Sequence, residues 1–250
     1  VLVVAVSACG DTRNDVSASA PGEPLEGNLT VAAASSLRVA FEEIGESFRR
    51  DHPGVEVTFT FDGSSALATQ VLEGAPVDVF ASADEASLGR VDEAGLLASS
   101  AVPFARNGLV IVTQPGNPAA ITGLADLPQA GVVSLCGAEV PCGRYAEEAL
   151  RSASVTLDES RVSRAPNVAA ALTAVTAGDA IAAIVYVTDA AAAGDAVHPV
   201  AIPPEHDAEA TYPIAALGPG DGPVARAFVD YVLGADGQRV LARHGFRPAP

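Results

Sequence analysis

The chain has 250 residues, 49% of them apolar, which is too apolar for global disorder and long enough to bury a core as one large domain or two smaller ones. Its formal charge is −17, all 14 basic residues are Arg, and the largest basic cluster is Arg49-Arg50, a balance that argues against a nucleic-acid partner. An acidic surface of this kind serves solubility.

The segment Val1 to Gly10 is apolar but shorter than the roughly 20 residues that span a bilayer, and it reads as the end of a secretory signal. Within it Val6-Ser7-Ala8-Cys9 resembles a bacterial lipobox, in which cleavage precedes the cysteine and Cys9 receives diacylglycerol; a buried strand that contains a cysteine is the other reading. Asp11 to Gly27 is polar, with Pro, Gly, Ser and acidic residues and hardly any apolar periodicity, and this favours the anchor, which a tether follows. Residues 1–27 are therefore expected to be signal remnant, lipobox and tether, with the membrane met through the lipid alone.

Strand and helix signals alternate from there on, the pattern of an α/β protein. Leu29 to Val31 reads as a buried strand, Ala32-Ala33-Ala34 as a small-residue turn, and Ser35-Ser36 as a helix start. The apolar residues Leu37, Ala40, Phe41, Ile44 and Phe48 then keep the spacing of a helix with one buried face. A serine at a helix start has two uses: it caps the free N–H groups, or it joins them in holding an anion. The arrangement recurs. A strand with Val55, Val57, Phe59 and Phe61 on one face runs into Asp62-Gly63-Ser64-Ser65 and a helix from Ala66 to Glu73, and the strand Val77 to Phe80 runs into Ala81-Ser82-Ala83-Asp84 and a helix closed by Gly95.

After a break at Arg106-Asn107-Gly108, strands are expected at Leu109 to Val112 and Val132 to Leu135. The second leads to Cys136 and Cys142, six positions apart; export would place them where such a pair bridges, so a disulfide is expected, with zinc as a competing reading that lacks further ligands at the right spacing. Closing so small a loop stabilises by about 2 kcal/mol on the chain-entropy model, and its main value is to fix the loop's shape. A helix follows from Gly143 through Leu150, Asn167 caps another from Val168 to Ala177, and Ala180 to Val187 is an apolar strand carrying the Tyr186 hydroxyl. Late strands at Val197 to Ile202 and Ala210 to Leu217 precede helices at Pro223 to Leu233 and Asp236 to His244. Breaks near Asn107 and Ala210 would let the chain cross twice between two lobes, with a ligand in the cleft.

The blocks Ala32-Ala33-Ala34-Ser35-Ser36-Leu37, Gly63-Ser64-Ser65-Ala66-Leu67, Gly74 to Asp84, Val140-Pro141-Cys142-Gly143-Arg144-Tyr145-Ala146, Asn167-Val168 and Ile184 to Ala190 make the chain similar to the substrate-binding proteins of bacterial molybdate ABC importers, from about Leu29 to Phe246. The resemblance implies an α/β, two-lobed periplasmic-binding fold of the second type, each lobe a mainly parallel sheet flanked by helices, with a double crossover hinge. Lobe 1 would be residues 28–107 plus 210–250, and lobe 2 residues 108–209. It implies a monomer that binds molybdate, or tungstate, outside the cytoplasm without any cofactor or catalysis and delivers it to a membrane permease. Carried over position by position, the oxyanion would be held by the Ser36 and Ser64 hydroxyls, the backbone N–H groups of Cys142 and Val168, and the Tyr186 hydroxyl. Two departures stand out: a double serine where one is usual, so that Ser35 caps or shares the contact, and a cysteine at 142 where a small residue such as alanine is common.

The chemistry agrees with that assignment. Molybdate is a tetrahedral dianion with acceptors on every corner and no proton to donate at neutral pH, so its site needs donors. Sulfate is a smaller dianion that only cavity size would reject, and hydrogen phosphate would want an acceptor. The bland readings are helix caps at Ser36 and Ser64, a core valine at 168 and a buried phenol at 186. A serine hydrolase is the rival from another class, but Gly63-Ser64-Ser65-Ala66 lacks the second glycine of a nucleophile elbow, and the 4 histidines are scattered.

Overall fold

The computed structural model describes residues 24–218 and 222–250, so the lipobox at Cys9 lies outside the described residues. The chain first lays down β1 (Glu26–Ala34), a 3-10 turn (Ser35–Leu37), α1 (Arg38–Asp51), β2 (Gly54–Asp62), α2 (Ser64–Leu72), β3 (Val79–Ala81), α3 (Glu85–Glu93) and β4 (Val102–Asn107). It then builds β5 (Leu109–Thr113), α4 (Leu127–Ala130), β6 (Val133–Cys136), α5 (Pro141–Ser152), β7 (Val162–Ala165), α6 (Val168–Thr176), β8 (Ala182–Tyr186), α7 (Val187–Ala193) and β9 (His198–Ala201). It returns through β10 (Ala210–Ala216), α8 (Pro223–Leu233), α9 (Ala235–Arg243) and β11 (Arg247–Pro248).

Two sheets result, one of 6 strands in the order β11-β4-β10-β3-β1-β2 and one of 5 in the order β7-β6-β8-β5-β9. Both are mixed, and in each most strands run in one direction, as expected. β2, β1 and β3 are parallel, but β10 inserts antiparallel between β3 and β4. β7, β6 and β8 are parallel, but β5 inserts antiparallel between β8 and β9. The cause is the double crossover: β5 enters the second sheet from the cleft side and β10 re-enters the first from it, so each runs against its neighbours.

The apolar face of α1 meets the first sheet as its spacing requires, with Leu37, Phe41, Ile44 and Phe48 fully buried. Phe41 packs edge-on to Phe59 and Phe228 and tilted against Phe104. All 8 phenylalanines belong to residues 28–107 and 210–250, whereas the second sheet is packed by Ala, Val, Ile and Leu. Burying side chains of this size contributes about 1.5–3 kcal/mol each. The chain passes between the sheets at Gly108, between β4 and β5, and again between β9 and β10. Among the described residues no helix is long and apolar enough to cross a membrane.

Candidate oxyanion site

Register brings the site together. β1 and β2 are paired from Glu26 and Gly54 through to Ala34 and Asp62, so both strands end side by side and release Ser35-Ser36 and Gly63-Ser64 at one edge. β6 and β7 likewise end together at Cys136 and Ala165. β8 ends at Tyr186, which the antiparallel pairing of β5 places opposite Leu109, just past the first crossover. Ligands in open α/β sheets gather at the carboxyl ends of strands, and here such ends from both sheets face each other.

Between them lies a cavity of about 10 Å³ lined by Ala34, Ser35, Ser36, Asp62, Gly63, Ser64, Ala83, Val140, Pro141, Cys142, Val168 and Tyr186. It is nearly closed and far smaller than the ~300–1,000 Å³ of sites for drug-sized ligands. All five residues assigned from the sequence line it, and Ser35 joins them. Neither Ser36 nor Ser64 is an N-cap: Ala34 precedes the 3-10 turn, Gly63 precedes α2, and no side chain caps either start. Cys142 is the second residue of α5 and Val168 the first of α6, positions whose N–H groups have no acceptor within the helix. Helix starts also concentrate the positive end of the peptide dipoles, which favours an anion.

The hydroxyls are arranged to give. Ser64 Oγ accepts from the Ala83 backbone N–H at 2.9 Å, which leaves its proton free. Ser36 Oγ lies 3.0 Å from the Tyr212 hydroxyl. The Tyr186 hydroxyl is buried and has no hydrogen-bond partner among the described residues. Burial, and after it the neighbouring Tyr212, pushes the Tyr186 pKa well above that of a free tyrosine, so the phenol keeps its proton at any physiological pH. A buried donor left unpaired costs about 1–3 kcal/mol, and an oxyanion in the cavity is an acceptor that would relieve it.

One carboxylate lines the space. Asp62 Oδ1 accepts from Gly63 N–H at 2.7 Å and from Asn167 Nδ2 at 2.8 Å, the second bond joining the two sheets' lobes. Asn167 Oδ1 accepts from Ala170 N–H at 2.9 Å, capping α6 as expected and fixing which way the amide points. A second tie is the ion pair of Arg144 on α5 with the buried Asp84 before α3, whose Nε–Oδ2 distance is 2.9 Å. The lobes approach closely enough that a Cβ on Gly63 would come within 2.6 Å of the Pro166 carbonyl. Cys136 and Cys142 form a disulfide with a Cα–Cα distance of 5.7 Å, and the loop it closes lies so near α5 that a Cβ on Gly143 would clash with the Gly137 carbonyl oxygen.

Behind the Tyr186 wall sits Asp189, buried at the first turn of α7. Its pKa is pushed up to about 7 by desolvation, against bonds from the N–H groups of Tyr186 and Asp189 itself. Sequence reading missed Asp62, Asn107 and Tyr212 as members of the site's surroundings. Asn107 read as a chain break and Tyr212 as a strand residue, because their roles depend on a crossover that brings residues 36, 107 and 212 together.

Two mixed α/β lobes joined by a double crossover and holding a small cavity between them define a two-lobed solute-binding protein. The chain belongs to the bacterial extracellular solute-binding protein family, whose model matches residues 29–247. It is 41% identical over 250 residues to the molybdate-binding protein ModA of Mycobacterium tuberculosis strain H37Rv, covering 98% of this chain and 94% of that protein. Its fold superposes on the periplasmic molybdate-binding protein of Azotobacter vinelandii with a TM-score of 0.75 at 21% identity, over 89% of this chain and 100% of that one. The sulfate-binding protein SubI of Mycobacterium tuberculosis gives 0.76 at 21% identity, over 88% and 86%. At those identities the structures speak for the fold alone.

Proposed function

We propose that the protein binds molybdate, and tungstate equally well, in the cavity between its lobes and presents it outside the cytoplasm to the permease of an ABC importer. The lobes are residues 28–107 with 210–250 and residues 108–209, and Cys9, lipidated, tethers the monomer to the membrane. Its ligand contacts are the Ser36, Ser64 and Tyr186 hydroxyls and the Cys142 and Val168 N–H groups. The observation that carries this reading is the Tyr186 hydroxyl, a buried donor without a partner among the described residues beside a small cavity, together with 41% identity to a molybdate-binding protein.

Hydrogen bonds to a charged group contribute about 1.5–3 kcal/mol each, so these five together contribute about 8–15 kcal/mol, enough at the upper end to offset desolvation and leave the ~8 kcal/mol of a micromolar dissociation constant. The lining residues include no Arg or His, so the donors carry no full charge. Ser64 Oγ accepts from the Ala83 N–H, so its own proton is available to an anion. Sulfate is the second reading, a dianion of the same charge that is separated from molybdate only by size. Titration calorimetry with molybdate, tungstate and sulfate tests all of this. The expected result is tight, equal binding of the first two and weak binding of sulfate; preference for sulfate, or no heat with any of them, refutes the proposal.

A further inference from the structure

The Ser36 hydroxyl has one proton, which can point into the cavity or at Tyr212, and only the first makes Ser36 a donor to an anion. The groups behind it decide which. Asn107 Nδ2, an amide nitrogen that can only donate, lies 2.8 Å from Thr188 Oγ1 and 3.4 Å from the Tyr212 hydroxyl. A Tyr212 oxygen that accepts from Asn107 has its own proton left for Ser36 Oγ, 3.0 Å away. Ser36 then keeps its proton for the cavity. Ser64 reaches the same state through the Ala83 N–H, where no rotation is possible because the donor is backbone.

Asn107 and Tyr212 are both buried, and neither lines the cavity. They belong to opposite strands at the two crossovers, Asn107 being paired with Ala210 and Tyr212 following two residues later. Thr188 comes from α7 in the other lobe, so the relay is anchored on both sides of the hinge.

We infer that Asn107 and Tyr212 are positioning residues that hold Ser36 as a donor toward the anion and so make this hydroxyl discriminate against oxyanions that carry a proton. The inference rests on the oxyanion reading of the cavity. A Ser36 freed from Tyr212 can turn and accept a proton from hydrogen phosphate; a proton from Tyr212 occupies one of its two lone pairs and so disfavours that.

The test is a double-mutant cycle read by titration calorimetry with molybdate and with inorganic phosphate at pH 7, using wild type, Tyr212→Phe, Ser36→Ala and the double variant. Tyr212→Phe is expected to weaken molybdate binding about threefold to tenfold and to shift the phosphate-to-molybdate preference toward phosphate by a similar factor. In the Ser36→Ala background the same change is expected to alter molybdate affinity less than about twofold, since no hydroxyl remains to be oriented. Equal losses in both backgrounds, or an unchanged preference, overturn the inference while leaving the oxyanion reading standing. Absence of molybdate binding by the wild type overturns both. Should Tyr212→Phe fail to fold, Asn107→Leu in the same two backgrounds carries the same comparison.

Discussion

The two walls of the cavity offer donors of different kinds. On the β1–β2 wall they are side-chain hydroxyls, Ser36 and Ser64, each tied to another protein group. On the opposite wall they are backbone N–H groups at the starts of α5 and α6 and a phenol, Tyr186, with no hydrogen-bond partner among the described residues. The first wall is set by hydrogen bonds that persist whatever the cavity holds. The second carries a buried, unpaired donor whose cost an anion would remove, so the same chemical edit on the two walls should separate affinity from stability.

Ser64→Ala should have the largest effect, because it removes a ligand donor and also leaves the Ala83 N–H without its acceptor. Molybdate binding should weaken by about 2–3 kcal/mol and unfolding stability should fall by about 1 kcal/mol, read by calorimetry and by urea denaturation. Tyr186→Phe should weaken binding by about 1.5–2.5 kcal/mol and yet leave the ligand-free protein as stable as the wild type or about 1 kcal/mol more so. If both variants lost stability equally, the contrast between the walls would be wrong. Gly63→Ala tests their approach: the added methyl meets the Pro166 carbonyl, and affinity should drop by about 1–2 kcal/mol through closure alone, the cost of overpacking.

Asp189, which backs the Tyr186 wall, gives the one effect that depends on pH. Its native pKa of about 7 lies above the ordinary 3.8, so its contribution to stability is fully present below about pH 3.8, declines as pH rises toward 7 and is constant beyond. Asp189→Asn should therefore be more stable than the wild type at pH 8, by up to about 4 kcal/mol, and little or no more stable at pH 4. Urea unfolding at the two pH values checks it; an advantage that persists at pH 4 points to some other cause.

Much of this was legible in the sequence because it is local. The α1 face, the Gly63-Ser64 turn and the Asn167 cap are each written in a few consecutive residues, and the helix starts that face the cavity follow from them. β4 was not, since Pro103 masks a strand whose Phe104 and Ala105 are buried and paired with β10 across a bulge at Tyr212-Pro213. β7 is short and polar at a sheet edge, and α7 begins without a break where the apolar run of β8 seemed to continue. The mixed sheet directions, the Asp62–Asn167 tie and the Tyr212 relay depend on where the crossovers return the chain, and no local pattern encodes that.

The most direct measurement is a crystal structure with molybdate, locating molybdenum by its anomalous scattering. The expected result is a single peak between the lobes, its oxygens within hydrogen-bond distance of the Ser36, Ser64 and Tyr186 hydroxyls and the Cys142 and Val168 N–H groups. A peak elsewhere, or one whose oxygens contact Asp62 or an arginine in place of those five donors, would contradict a site made of uncharged donors.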